Sequence, residues 1–242
     1  SVLESIVDSG AIAPGDLVVE VGAGIGVLTE RLLDAGARVR AIEYDARVIP
    51  LLETFVKAPE RGTALEIVEG NALDVAFPDE PYKVIANIPY HITSPLLRHM
   101  FLEGNRSPSL VTLLIQREVA ERICDEDDRG LLTVVVSLFG KASIVRHVPP
   151  AAFLPPPKVD SSVLHIDCYG RPLADGPTID RLLKLLKLGF GQKRKMLRNT
   201  LGSLPSGDAL LASAGIDPTR RPQTLTTEEW ISLARTANER NM

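Results

Sequence analysis

Asp16-Leu-Val-Val-Glu-Val-Gly-Ala-Gly-Ile-Gly-Val27 is the stretch that decides the fold. Its first half, Asp16 to Val21, is a short apolar run that stops at glycines, the pattern of a buried strand. Val27 to Ala35 then reads as a helix closed by Gly36. The same alternation continues outward. Arg38–Glu43 reads as a strand, Ala46–Lys57 as a helix with Pro50 near its first turn, and Leu65–Glu69, Lys83–Asn87 and Leu110–Gln116 as further strands. Ser143–Val148 and Ser161–Asp167 complete the set. Strands separated by helical segments need crossover connections, so the expected fold is α/β, a mostly parallel sheet with helices on both faces.

The pattern changes after Cys168. Tyr169 to Pro177 is rich in turn residues and reads as a linker, and from Thr178 the periodicity is helical, with turns at 202–207 and 217–222. The expected division is a catalytic domain over 1–170 and a small C-terminal helical domain over 178–242.

Composition narrows the function classes. Two cysteines, Cys124 and Cys168, are too few for a disulfide framework or a cysteine-based metal site, and they point to a reducing, cytoplasmic setting. No metal is expected. The longest nearly apolar run, Leu131–Phe139, is nine residues, against roughly 20 for a membrane span. The first ten residues carry Glu4 and Asp8 and no basic cluster, so no leader peptide is visible after Ser1. The net charge of −4 argues against a wholly basic nucleic-acid binder, yet the charge is uneven. Residues 1–80 carry a net −9, whereas 181–198 hold seven basic residues and no acid. Lys184, Lys187, Lys193, Arg194, Lys195 and Arg198 form the candidate contact to an RNA backbone; the competing reading is a solvated helix face.

The glycine loop admits three readings: a dinucleotide fingerprint, a methyltransferase cofactor loop, or a tight turn alone. A dinucleotide loop is spaced G-x-G-x-x-G and faces a pyrophosphate. Here Gly22, Gly24 and Gly26 are spaced G-x-G-x-G behind an acid, Glu20. A carboxylate is a poor neighbour for pyrophosphate and suits a ligand with an ammonium group, such as S-adenosylmethionine. Glu43 closes the second strand roughly 20 residues on, where an acid bonds two ribose hydroxyls. Asn71, after the third strand, is placed to accept from an adenine amine, although alone it reads more readily as a turn residue after Gly70, and Glu43 alone reads equally as a surface acid. With Ala23, Tyr44, Ala72 and Asn87 these residues make up the expected cofactor set.

Asn87-Ile88-Pro89-Tyr90 closes the fourth strand, at the sheet end where ligands collect. The proline holds Ile88 extended, which directs the Asn87 side chain and the Ile88 carbonyl towards one point. Two acceptors there suit an adenine N6 amine. Accepting both N–H groups favours a tetrahedral nitrogen whose lone pair is free to attack, and Tyr90 supplies a stacking face.

These residues carry a family resemblance. The chain resembles the ribosomal RNA adenine dimethyltransferases, the KsgA group, and the related Erm resistance enzymes. The similarity runs through Val18–Glu30, Ala41–Val48, Gly70–Leu73, Asn87–Tyr90, Gln116–Arg122, Arg129–Thr133, Phe153–Ser161, Phe190–Asn199 and Arg221–Leu225. It implies a Rossmann-like class I methyltransferase sheet with S-adenosylmethionine as cofactor, and transfer of two methyl groups to N6 of adenosine. It makes Phe153 a second aromatic wall opposite Tyr90, in a segment that the residues alone mark only as a proline-rich loop. Gln192–Asn199 and the Arg221-Pro-Gln-Thr-Leu225 stretch look more like the KsgA group. That group acts, as a monomer on this reading, on two adjacent adenosines near the 3′ end of small-subunit rRNA. The alternatives are an Erm-like or DNA adenine methyltransferase and a non-catalytic ribosome-assembly factor. The chain departs from the family pattern at Asn71, where the family has Asp. A second departure is at the N-terminus: family members begin with a basic stretch and a Gly-Gln-x-Phe-Leu motif, which the sequence starting at Ser1 does not contain.

Overall fold

The strand at Leu17–Val21 (β1) is buried along nearly its whole length, and this explains where the sheet forms: Val18 and Val19 have no exposed surface. Each fully buried aliphatic of this kind contributes about 1.5–3 kcal/mol relative to exposure. The computed structural model describes residues 1–56, 63–153, 156–192 and 194–240. Lys57, Leu154, Pro155 and Lys193, each part of a segment singled out from the sequence, lie outside the described residues.

After β1 come a helix at Val27–Asp34 (α2), β2 at Arg38–Glu43, α3 at Ile49–Val56, β3 at Leu65–Glu69 and β4 at Tyr82–Asn87. A helix at Val2–Ser9 (α1) precedes them. The sequence reading does not contain α1, yet the signal is there. The Ser1 side chain accepts the Glu4 backbone N–H at 3.2 Å, an N-cap, and Ile6 is fully buried. A turn of 3-10 helix at Tyr90–Ile92 leads into α4 at Thr93–Arg98. Then follow β5 at Leu110–Gln116, α5 at Arg117–Cys124, α6 at Leu131–Phe139, β6 at Gly140–Val148 and β7 at Ser161–Cys168.

The seven strands form one sheet in the order β3-β2-β1-β4-β5-β7-β6. β3, β2, β1, β4 and β5 pair in parallel; β7 runs antiparallel to β5 on one side and to β6 on the other. The order reverses at β1, which pairs with both β2 and β4, so the loops after β1, β2 and β4 meet at one end of the sheet. The β7 register pairs Ser161 with Gln116 of β5 and with Val148 of β6. The start of β7 therefore lies at the same sheet end as the finish of β5.

By their internal packing the residues group into two compact units, 1–121 with 140–170, and 122–139 with 171–242. The first holds the whole sheet. The second gathers α6, the apolar run at Leu131–Phe139, with the C-terminal helices α7 at Gly176–Phe190, α8 at Gly207–Ser213 and α9 at Thr227–Glu239. The division expected from sequence left 122–139 with the sheet. An apolar run does not announce which core it fills. The linker expected over Tyr169–Pro177 gives its last residues to α7, whose start is set by Asp175, which accepts the Thr178 N–H at 2.9 Å. In this unit Trp230 is fully buried and stacks on Phe190 with centroids 5.9 Å apart. Arg220 and Glu229 form a two-pronged ion pair at 2.5 and 3.0 Å, and Thr226 caps α9. Among the described residues no helix is long and apolar enough to cross a membrane.

Candidate active site

The loop from β1 to α2 is shaped by backbone conformation. Gly22, Gly24 and Gly26 all have positive φ, at 74°, 56° and 95°. At Gly26 sterics add a second constraint: a Cβ would sit 2.2 Å from Val56 Cγ2 and 2.7 Å from Leu52 Cδ1. The close approach of α3 therefore requires glycine there. At Gly24 nothing crowds the position. Its N–H is instead spent on a specific partner, Glu43 Oε2, at 2.8 Å.

Glu43 ends β2 and is 8% exposed. Its other oxygen, Oε1, accepts the Asp45 N–H at 2.8 Å, and its carbonyl accepts the Gly70 N–H at 2.9 Å. One residue thus ties together the loops after β1, β2 and β3. Each carboxylate oxygen keeps a further lone pair, so the group remains able to accept from a ligand's hydroxyls.

A cleft of about 480 Å³ opens beside it, lined by Val21, Gly22, Ile42, Glu43, Tyr44, Gly70, Asn71, Ala72, Leu73, Pro89, His91 and Ile92. Asn71 uses its amide within its own turn. Oδ1 accepts the Leu73 N–H at 3.1 Å, and Nδ2 donates to Asp74 at 2.9 Å. The two sequence readings of Asn71, turn residue and ligand acceptor, are thus compatible, because Oδ1 has a second lone pair.

A second cleft of about 410 Å³ is lined by Gly22, Glu43, Asn87, Ile88, Pro89, Tyr90, Phe153 and Pro157. It shares Gly22, Glu43 and Pro89 with the first. Asn87 is exposed at the end of β4, while Ile88 is 2% exposed and anchors the turn in the core. Tyr90 is half-buried, with its hydroxyl 2.6 Å from Ser161 Oγ. Phe153 packs against the core cluster that includes Val148 and Val163. The structure therefore gathers Gly22, Glu43, Tyr44, Asn71, Ala72, Asn87, Ile88, Pro89, Tyr90 and Phe153 around two adjoining clefts.

Glu20 sits elsewhere. The sequence reading aims its carboxylate at a ligand's ammonium group; the structure buries it to 1% exposure and turns it into the first turn of α2. There it accepts from Thr29 Oγ1 at 2.6 Å and from the Thr29 backbone N–H, one of the N–H groups a helix start leaves unpaired. Burial pushes its pKa up to about 8, helped by the nearby Glu43 charge and opposed by the Thr29 bonds. The residue before the glycines is thus a support for α2.

Sequence reasoning also misses Leu73, His91, Ile92 and Pro157 as lining residues. Their positions beside recognised motifs are the available signal. Ser161 reads from sequence as a strand start and as the last residue of the Phe153–Ser161 segment, with no role of its own. In the second unit, Lys184, Lys187, Arg194, Lys195 and Arg198 are exposed, with Lys184 and Lys187 on the side of α7 opposite the buried Leu182, Leu185 and Leu186.

Comparison with known proteins gives these clefts a context. The family described as ribosomal RNA adenine dimethylase matches residues 1–239. A ribosomal RNA small subunit methyltransferase A from Sinorhizobium medicae is 46% identical over 230 residues, covering 91% of this chain and 82% of the relative. Its counterpart from Dehalococcoides mccartyi is 40% identical over 240 residues, covering 96% and 82%. Among solved structures, a dimethyladenosine transferase from Plasmodium falciparum superposes with a TM-score of 0.85 at 27% identity, over 100% of this chain and 96% of that one. The 23S rRNA methyltransferase ErmE superposes with a TM-score of 0.77 at 25% identity, over 98% and 97%. The chain belongs to the ribosomal RNA adenine dimethylase family.

Proposed function

We propose that the protein uses S-adenosylmethionine to dimethylate N6 of two adjacent adenosines near the 3′ end of small-subunit rRNA. The observation that carries this reading is the common wall. Gly22, Glu43 and Pro89 border both clefts, so a nucleoside cofactor in one and a flipped-out base in the other would meet at their junction. The residues suit such a cofactor. Glu43 offers a fixed carboxylate to ribose hydroxyls, and the cleft it borders is large enough for a nucleoside. When bound, S-adenosylmethionine supplies a methyl group already activated by its sulfonium.

The protein's part is positioning. The Asn87 amide oxygen and the Ile88 carbonyl accept the two N–H groups of the target amine and turn its lone pair towards the junction. Tyr90 and Phe153 hold the base by stacking. The exposed basic residues of 184–198 bind the RNA backbone. The small subunit is favoured as substrate because the curated relatives at 40–46% identity are small-subunit methyltransferases.

Transfer of labelled methyl to unmethylated small subunits tests the reading, with large subunits and naked rRNA as controls. The expected result is two methyls on each of two adenosines, in small subunits alone. Transfer to large subunits would favour an ErmE-like activity, and transfer to neither would favour a ribosome-assembly factor that performs no chemistry.

A further inference from the structure

Tyr90 contributes a wall of the smaller cleft, yet its backbone fixes only where the ring begins. Pro89 and the 3-10 turn at Tyr90–Ile92 set the Cα position, and the Tyr90 carbonyl is held by Thr93 Oγ1 at 3.0 Å. The ring still turns about two side-chain torsions. Where the ring points is decided at its far end, and among the described residues the hydrogen-bond partner there is the hydroxyl of Ser161, at 2.6 Å.

Ser161 is placed to serve as a rigid reference. It has no exposed surface and begins β7, the strand flanked on both sides by antiparallel neighbours. Its register partners are Gln116 and Val148, so its backbone is held from two directions. The next residue, Ser162, is equally buried and bonds His147 at 2.9 Å. Successive side chains on a strand point to opposite faces, so of the two serines only Ser161 turns towards Tyr90. Ser161 is also where the loop carrying Phe153 rejoins the sheet, and Phe153 packs against a core cluster whose members include Val148 and Val163, on the strands either side of that loop. One hydrogen bond between residues 71 positions apart therefore refers both aromatic walls to the same strand.

We propose that Ser161 is a positioning residue for the methyl transfer: through the shared hydrogen bond it pins the hydroxyl end of Tyr90, and with it the direction in which the ring projects, and so the slot in which the target base stacks. Stacking is sensitive to ring plane and offset. A ring free to rock would hold the base in a wider range of poses, fewer of them aligned for attack. The inference rests on the proposed methyltransferase activity for its functional consequence; the bond itself does not.

The test is a double-mutant cycle of Ser161→Ala and Tyr90→Phe, read as kcat/KM for methyl transfer to small subunits and as the KM for cofactor. Tyr90→Phe keeps the stacking face and breaks the same bond from the other side, which covers the case in which Ser161→Ala folds poorly. Each single variant should lose about three- to ten-fold in kcat/KM, the range of one hydrogen bond. The double variant should lose no more than either single one, and the cofactor KM should not move. Unchanged kcat/KM in Ser161→Ala would overturn the proposal. So would losses that multiply in the double variant, because a purely structural defect at Ser161 persists when the Tyr90 hydroxyl is absent. A second readout needs no turnover. The chain has four tyrosines, and ring resonances of labelled tyrosine, with Tyr90 assigned from Tyr90→Phe, should shift or broaden at Tyr90 alone in Ser161→Ala. If the wild-type chain transfers no methyl, the activity reading fails by itself. Unchanged Tyr90 resonances would then separately overturn the role given to Ser161.

Discussion

The Glu43 carboxylate accepts the backbone N–H of Gly24 across the mouth of the β1–α2 loop at 2.8 Å, and on its other oxygen the N–H of Asp45 at 2.8 Å. A neutral amide has one acceptor oxygen in place of two. Glu43→Gln must therefore leave one of these N–H groups without its partner while also losing an acceptor for a ligand. S-adenosylmethionine affinity should fall by about five-fold to a hundred-fold, from a loss of about 1–3 kcal/mol. Titration calorimetry with the cofactor alone checks this. Wild-type affinity in Glu43→Gln would remove Glu43 from the cofactor set.

Glu20 makes stability depend on pH. Its carboxyl has a pKa of about 8 in the folded chain against an ordinary 4.5. Below the ordinary value it is protonated in both states. As pH rises between the two values the unfolded chain ionises and the folded chain keeps its proton, so stability falls, levelling off above the folded value. The loss is on the order of a few kcal/mol. Glu20→Gln has no proton to lose and should escape that decline. Urea unfolding of both proteins from about pH 5 to about pH 9 provides the comparison; parallel curves would show that the carboxyl titrates normally.

Gly26 and Gly24 should differ in their tolerance of a methyl group. Gly26→Ala combines a left-handed backbone with a Cβ 2.2 Å from Val56, and is expected to cost more than about 2 kcal/mol. Gly24→Ala meets open space and should cost only the backbone strain, about 1–2 kcal/mol. Thermal unfolding would rank the two; equal losses would mean that α3 yields to the intruding methyl.

The basic stretch makes a salt-dependent prediction. Reversing Lys184, Lys187 and Arg198 to Glu should weaken RNA binding and flatten the dependence of log affinity on log salt. The slope should drop by about 0.7–0.9 for each phosphate that is no longer neutralised. Binding measured over a salt series gives that slope. An unchanged value would return these side chains to the role of a solvated face.

Much of this architecture is legible in the chain because local patterns encode it. Apolar runs ending in glycine mark β1 and its loop, and the Asn87–Tyr90 turn at the end of β4 marks the second cleft. What escapes reading depends on partners far away in sequence. The insertion of β7 between β5 and β6 is a long-range pairing that no window of residues contains. The fate of Glu20 is similar: an acid before three glycines looks the same whether it faces solvent or a helix start, and only the packing of Thr29 against it decides. The bond from Tyr90 to Ser161 spans 71 positions and joins two common residue types, which leaves no mark in the sequence. The Ser1-x-x-Glu4 cap, by contrast, is there to be read.

Because β7 runs against its neighbours, it brings its beginning to the ligand end of the sheet, where every parallel strand brings its finish. Phe153 is therefore delivered by the loop entering β7, while Glu43 and the glycine loop hang from strands on the far side of β4. The two halves of the site are separately editable. Residues 149–160 can change in length or composition and reshape the smaller cleft beside Tyr90, with no strand that carries the larger cleft having to shift register. On the proposed function, a change of substrate preference made in that loop would leave the methyl donor's cleft as it is.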